Sequence, residues 1–410
     1  MNSVTNEKRL VKDAPSSLLK VLTNFVSWLN GYDEASWDHQ SFFAGTLGSW
    51  SKSLYYRQKA LGTAAVAPMI FFEAFLPSAR RLFHHPVRFP IADAHYAMGF
   101  LFLYRATKQP IYFARVVHFL DELKKSRCRG FKEFCWGYPF DWVTRNGTIK
   151  EQTPLITTTP YVYEAFLQVF ELDGRNGWKQ ILESIACHAR FDIKDFKTSA
   201  TASSCSYSPF NGGGVINAAA YRAFLLTSAS QVLSNDDYWK VAERNLNFVL
   251  ETQNPDGSWF YAVDGVRDFV DHYHTCFVLK ALGKIHALTG HEGCYKALAN
   301  GVDYYLENLF ADDGLPKPFS RPPRLTVYKR ELYDCAECIN LSLLLRDRFP
   351  RFEKTLRTVI EGILKDWIKR DGSFRSRRLH LSWDNVPMHR WGQSQMFRSL
   401  AYYLFEATKG

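Results

Sequence analysis

The stretch "VDHYHTCFVLKAL" (270–282) sets Asp271, Tyr273 and His274 ahead of an apolar run with helical spacing. Asp271 and His274 stand at i and i+3 and share one helical face. A carboxylate beside an imidazole fixes its tautomer and raises its basicity, as general-base catalysis needs. The competing reading makes Asp271 a helix cap and His274 a hydrogen-bonded core residue.

Five other stretches carry usable chemistry. "HRWGQSQMF" (389–397) opens the final apolar run, and its Arg390 can clamp a carboxylate beside Trp391 and Gln393, or seal the fold as a salt bridge. "CWGYPFDW" (135–142) gathers Trp136, Tyr138, Asp141 and Trp142, a set that suits a sugar subsite or a loop pinned by aromatic packing. In "TPLITTTPYVYEA" three threonines precede a helix; capping explains one, and Thr158 is a candidate ligand contact. "FNGGG" (210–214) offers Asn211 and free N–H groups, without the strand or Lys-Ser pair of a nucleotide loop. "LYDCAECIN" pairs Asp334 with Glu337 and Cys335 with Cys338; with no second Cys-x-x-Cys, the thiols read as core rather than zinc ligands.

These residues must be positioned by something, and the chain is periodic. Apolar runs with i, i+3, i+4 spacing come in pairs, and His95, Tyr161, Asn217, His274, Asp334 and Trp391 mark the first members at intervals of 56 to 66 residues. First members are nearly uncharged on both faces, as for helices buried on two sides; second members carry one charged face. No strand-like alternation of useful length interrupts them. The expected fold is all-α, an (α/α)6 toroid of six hairpins with repeats of about 60 residues. Residues 90–410 form the toroid, and a helix from residues 1–89 closes the sixth unit. The candidates then fall at inner-helix starts, where free N–H groups and the positive dipole end favour anions.

Composition narrows the partners. Aromatic residues make up 16% of the chain and the net charge is +10. Exposed aromatic platforms suit sugars, lipids or carbocations, and the basic balance favours an anionic partner. No nucleic-acid-binding motif is present. Residues 1–20 lack a secretory pattern, and eight cysteines in so long a chain read as reduced thiols, so a cytoplasmic protein is expected. "FFEAFLPSARRLFHHPVRF" is aromatic and basic: it reads first as a packed helix with a basic loop, and it also permits shallow membrane contact.

Two resemblances add to this. "QNPDGSWFY" (253–261), whose Trp259 is a candidate substrate platform, resembles the Gln-Asp-Gly-Trp turn of terpenoid cyclase and protein prenyltransferase toroids. "DHYHTC" is similar to the prenyltransferase helix start whose histidine ligates zinc. That likeness implies zinc at His274, but the preceding hairpin reads "FNGGGVINAAA", without the family's Asp-x-Cys pair. No cofactor is otherwise expected. More broadly, "GYPFDW", "TPLITTTPYVYEA", "FVDHYHTCFVLKAL" and "HRWGQSQMFRSL" resemble six-hairpin proteins of bacterial exopolysaccharide and O-antigen biosynthesis. This resemblance implies carbohydrate work on an acidic or lipid-linked glycan. A lyase or uronyl C5-epimerase would use Arg390 on the uronate, His274 as base oriented by Asp271, and Tyr138 or Tyr273 as acid. Hydrolysis by Asp141 and Asp334, isoprenoid chemistry and glycan binding without turnover are the alternatives.

Overall fold

The computed structural model describes residues 2–323 and 326–409, with side chains from residue 16 onward. Helix α1 (Asn2–Tyr32) leads to α2 (Ser41–Ala44), α3 (Thr46–Arg57) and α4 (Lys59–Phe75). Five helical pairs follow: α5 (Pro90–Thr107) with α6 (Pro110–Lys125), α7 (Thr159–Asp173) with α8 (Asn176–Cys187), and α9 (Ile216–Val232) with α10 (Asp236–Glu251). Then come α11 (His272–Thr289) with α12 (Glu292–Asn308), α13 (Leu332–Leu345) with α14 (Arg351–Asp366), and the final helix α15 (Ser394–Ala407).

The first members make a closed ring. Going round, α5 touches α7, then come α9, α11, α13 and α15, and α15 packs back on α5. The burial pattern explains why. Every residue of α9 from Ile216 to Ala229 is buried, a helix with no solvent side. By contrast α14 buries Phe352, Leu356, Val359, Ile360 and Ile363 along one stripe and turns its charges outward. Because each outer helix returns the chain, all inner helices point the same way. Their N-terminal ends therefore share one mouth.

Outer helices end in a repeated device. The indole N–H of Trp136 donates to the Leu123 carbonyl at 2.8 Å, and that of Trp259 to the Val249 carbonyl at 2.9 Å. Both carbonyls lie in the last turn of an outer helix, α6 or α10, where the backbone lacks intrahelical partners. Both tryptophans are buried, so neither is the sugar platform expected from the sequence. The glutamine of the same turn, Gln253, donates to the carbonyls of Gly257 and Ala297 and ties the loop to α12.

The turn also identifies the partner of α15. Gly257 has φ +89°, and a Cβ there would stand 2.4 Å from the Asn300 carbonyl of α12. Gly372, at φ +91°, would meet the Asn24 carbonyl of α1 at 2.6 Å. Helix α1 thus holds the outer position that α12 holds two repeats earlier. Its Phe25 is fully buried and stacks on Phe374 and on Phe397 of α15, each at 5.1 Å.

Two expectations need correction. Short strands of two to four residues do occur, in the loops at the mouth. The last inner helix begins at Ser394 and not at Arg390: His389–Gln393 form a wide turn with Trp391 and Gly392 outside helical geometry. That turn is fixed by His389, whose ring meets the Tyr96 hydroxyl at 2.5 Å and the Asp33 carbonyl at 2.8 Å.

Phe25→Ala should lower the unfolding free energy by about 3–5 kcal/mol, the usual range for a buried phenylalanine. Guanidinium titration of the purified chain measures it, and a loss below about 1 kcal/mol would mean that α1 contributes no core.

Candidate active site

At the mouth, His274 Nδ1 lies 2.6 Å from Asp271 Oδ2, and the His274 backbone N–H donates to Asp271 Oδ1 at 2.9 Å. The two sequence readings therefore hold together: Asp271 caps α11 and also holds the imidazole. An ionised carboxylate only accepts, so Nδ1 carries the proton and Nε2 presents its lone pair. Among the described residues no protein group bonds to Nε2. The Asp271 side chain is 1% exposed and the His274 side chain 20% exposed, so the base faces solvent while its partner does not. His272, next in sequence, is instead buried between the Tyr305 hydroxyl and the Leu309 carbonyl.

Around His274 runs a ring of aromatic groups supplied by loops and helix starts all round the mouth. Tyr261 and Tyr273 flank the imidazole at 4.7 and 4.4 Å. Tyr273 lies edge-on to Trp391 at 5.5 Å, and Trp391 stacks flat on Tyr333 at 4.7 Å. Arg390 sits over the Trp391 and Tyr138 rings at 5.1 and 4.5 Å. From Tyr138 the ring continues through Trp142 (5.5 Å) to Tyr207 (6.1 Å), which neighbours Tyr261 and closes the circuit. The Thr157 hydroxyl braces Tyr207 at 3.1 Å. Burial, then Asp271, raises the Tyr273 phenol well above its ordinary value, and burial takes Tyr261 to about 12. These phenols stay protonated donors at neutral pH.

The sequence candidates divide. The structure brings together Asp271, Tyr273, His274, Tyr138, Trp142, Arg390 and Trp391. It removes Trp136 and Trp259, as above, and Gln393, which is buried and clamps both backbone groups of Phe374 at 3.0 and 2.7 Å. Thr158 is buried beneath the loop, and Asn211 folds back onto Ser208. Asp141 is held in its own hairpin by Lys150 at 2.7 Å and the Glu151 N–H at 3.0 Å. Asp334 is fully buried; burial first, then Glu331, raises its carboxyl well above the usual range. Neither Asp141 nor Asp334 presents a free carboxylate to the mouth, which removes the expected hydrolytic pair.

Arg390 also needs correction. Its side chain is 3% exposed and bound to Asp38 of the N-terminal region at 2.5 Å. The guanidinium braces the rim and is not a vacant clamp. Arg377 likewise pairs with Glu73 and Glu331, and Arg267 with Asp264. Tyr207, Tyr261, Tyr333 and His39, which packs on Trp391 at 4.8 Å, were not picked out from the sequence. Tyr261 and Tyr333 lie within two residues of candidates that were; for Tyr261, loop conformation, which has no period, decides which neighbour faces the mouth, whereas Tyr333 lies in the first turn of α13.

Beneath the rim, Phe277, Tyr161 and Tyr221 fill the axis. Below them Lys280 pairs with Glu337 and Lys284 with Glu164, beside a cavity of about 270 Å³ that opens at the far end. Arg398 also lines it, meeting His95 Nδ1 at 3.2 Å, and the cavity lies across the filled axis from His274. Among the described residues no three His, Cys, Asp or Glu side chains gather in a metal-binding group. All eight cysteines are free, seven of them buried.

No family model matches the chain, and no curated protein matches it. Solved structures do. The cellobiose 2-epimerase of Bacillus thermoamylovorans B4167 superposes with a TM-score of 0.62 at 10% identity, over 78% of this chain and 88% of its own. A D-mannose isomerase gives 0.56 at 12%, over 78% and 87%. The unsaturated glucuronyl hydrolase of Bacillus sp. GL1 gives 0.54 at 14%, over 75% and 84%. The fold is that of the (α/α)6 toroids. At such identities the likeness carries the architecture and leaves the chemistry to the site.

The toroid buries several histidines neutral: burial lowers His272 to about 3 and His389 to about 4, and pulls His39 and His95 well below their ordinary value. Folded pKa values below the unfolded ones mean that unfolding takes up protons in acid. The stability these histidines contribute is therefore full above about pH 6.5 and is lost as pH drops toward 4, while Asp93, raised by burial to about 7, acts in the opposite sense. Urea midpoints measured from pH 7 to 4.5 should fall steadily, and His272→Phe should flatten the slope by about one proton.

Proposed function

We propose that the aromatic mouth is a carbohydrate site in which His274, oriented by Asp271, moves a proton at a carbon next to a sugar carbonyl. The observation that carries this is the dyad itself: a partly exposed imidazole with a bare Nε2, held by a buried carboxylate, inside a ring of aromatic faces. Aromatic faces cover the apolar faces of sugar rings, while the phenols of Tyr273 and Tyr261 donate hydrogen bonds to sugar oxygens. Removing a proton alpha to a carbonyl needs a base and a donor that stabilises the enolate oxygen. Nε2 supplies the first and Tyr273, kept protonated, the second.

The substrate reading shifts with Arg390. Acting on a uronate requires the carboxylate to be neutralised, and the rim arginines are already paired. A neutral sugar in its open aldehyde or ketose form fits the mouth better than the acidic glycan expected from the sequence. This makes epimerase or isomerase chemistry the leading reaction, ahead of a lyase. It agrees in kind with the names of two of the matched toroids, a cellobiose 2-epimerase and a D-mannose isomerase. The other reading is sugar binding without turnover, and the filled axis beneath Phe277, which leaves the mouth shallow, speaks for it.

Incubation with a panel of reducing mono- and disaccharides in D2O, followed by NMR, separates the two. Exchange should appear at the carbon beside the carbonyl and fall about 100-fold or more in His274→Ala and in Asp271→Asn. Exchange that survives in His274→Ala would remove the proposed base. Saturation-transfer contacts without exchange would favour binding alone. Trp391→Ala should weaken sugar binding by about tenfold while leaving any residual exchange dependent on His274.

A further inference from the structure

The helices α3 and α4 form a hairpin unlike the rest of the toroid. From residue 46 to residue 82 only Gly48, Ser51, Gly62, Met69 and Arg80 are buried. The sequence suggested a packed helix here, but α4 leaves its apolar side chains in solvent. Leu82 is 86% exposed, Leu61 62%, Trp50 58% and Phe71 54%, with Phe75 close behind. An exposed apolar surface of this kind marks an interaction face. The hairpin is itself well formed: Gly62 packs directly on the Tyr55 backbone, where a Cβ would stand 2.0 Å from Cα.

Its charge is one-sided. Between residues 46 and 82 the basic residues are Lys52, Arg57, Lys59, Arg80 and Arg81, against the single acid Glu73. Glu73 is turned inward to Arg377, and Arg80 to Asp384. Arg57, Lys59 and Arg81 remain exposed beside the aromatic and aliphatic groups. A second copy of this chain would bring like charges together across the face. An anionic bilayer meets both features, taking Trp, Phe and Leu at the headgroup boundary and pairing the cations with lipid phosphates. Among the described residues no helix is long and apolar enough to cross a membrane.

We propose that the α3–α4 hairpin docks the protein on an anionic lipid surface, lying on it and not through it. The docking does not depend on what the mouth does to its ligand. It does fix where the mouth sits. Helix α3 touches the strand Trp142–Thr144, and Glu73 reaches Arg377 and through it Glu331 at the start of α13. The aromatic ring would then stand beside the bilayer, within reach of a saccharide carried on a lipid.

The full chain is sedimented with vesicles of phosphatidylcholine alone and of phosphatidylcholine with phosphatidylglycerol. Binding is expected to the second kind, weakening as salt rises. The triple variant Trp50→Ser/Phe71→Ser/Phe75→Ser and, separately, Arg57→Glu/Lys59→Glu should each lower it about tenfold or more. All five positions are exposed, and unchanged thermal melts confirm folding. Absence of binding to anionic vesicles overturns the proposal, as does binding that neither variant alters. So does a concentration-dependent dimer in sedimentation velocity that the triple variant dissolves, which would give the face to a second copy.

Discussion

Six helices buried on every side are the constraint from which the rest follows. A helix with no solvent face holds charge along its length at a cost, and here two pairs join inner helices, Lys280 with Glu337 and Lys284 with Glu164. Polar chemistry that must reach a ligand is thereby pushed to the helix ends. At the N-terminal ends the backbone offers unpaired N–H groups, and Asp271 answers them while holding His274. Cap and imidazole partner are one residue because the architecture leaves the two roles the same place to stand.

The mouth is assembled by long-range ion pairs as much as by aromatic packing. Arg390 reaches Asp38, Arg377 reaches Glu73, and Arg80 reaches Asp384, each joining the N-terminal region to the last two repeats. These bonds are buried, so losing one partner would strand a charge at considerable cost. They leave the rim with its arginines ion-paired and its phenols protonated, a surface of hydrogen-bond donors and flat rings. That chemical character, more than overall charge, is what a ligand would meet.

Much of this was readable in the sequence where periodicity operates. The six inner helices were placed within a few residues, apart from the last, and the Asp271–His274 pair followed from i, i+3 spacing. What the sequence did not reveal has two physical causes. The role of Arg390 depends on Asp38, more than 350 positions away, and no local pattern encodes such a partner. Tyr207 and Tyr261 lie in loops, where neighbouring residues face in different directions without a rule. Trp259 was therefore chosen over Tyr261, although the indole serves only to finish α10.

The Gly372 turn has a consequence for how the chain is made. It rests on Asn24, and Phe25 stacks on Phe397, so α1 is fully packed only when α15, more than 300 residues later, has emerged. Until then α1 and the open edge of α15's neighbours carry unmatched apolar surface, a period in which a growing chain is open to mispairing. Closing a loop of this length is slow because so many residues must first be drawn together. Helix α1 therefore works as a latch on synthesis: a chain that stops short of Gly372 lacks the Gly372, Phe374 and Phe397 contacts that fasten it.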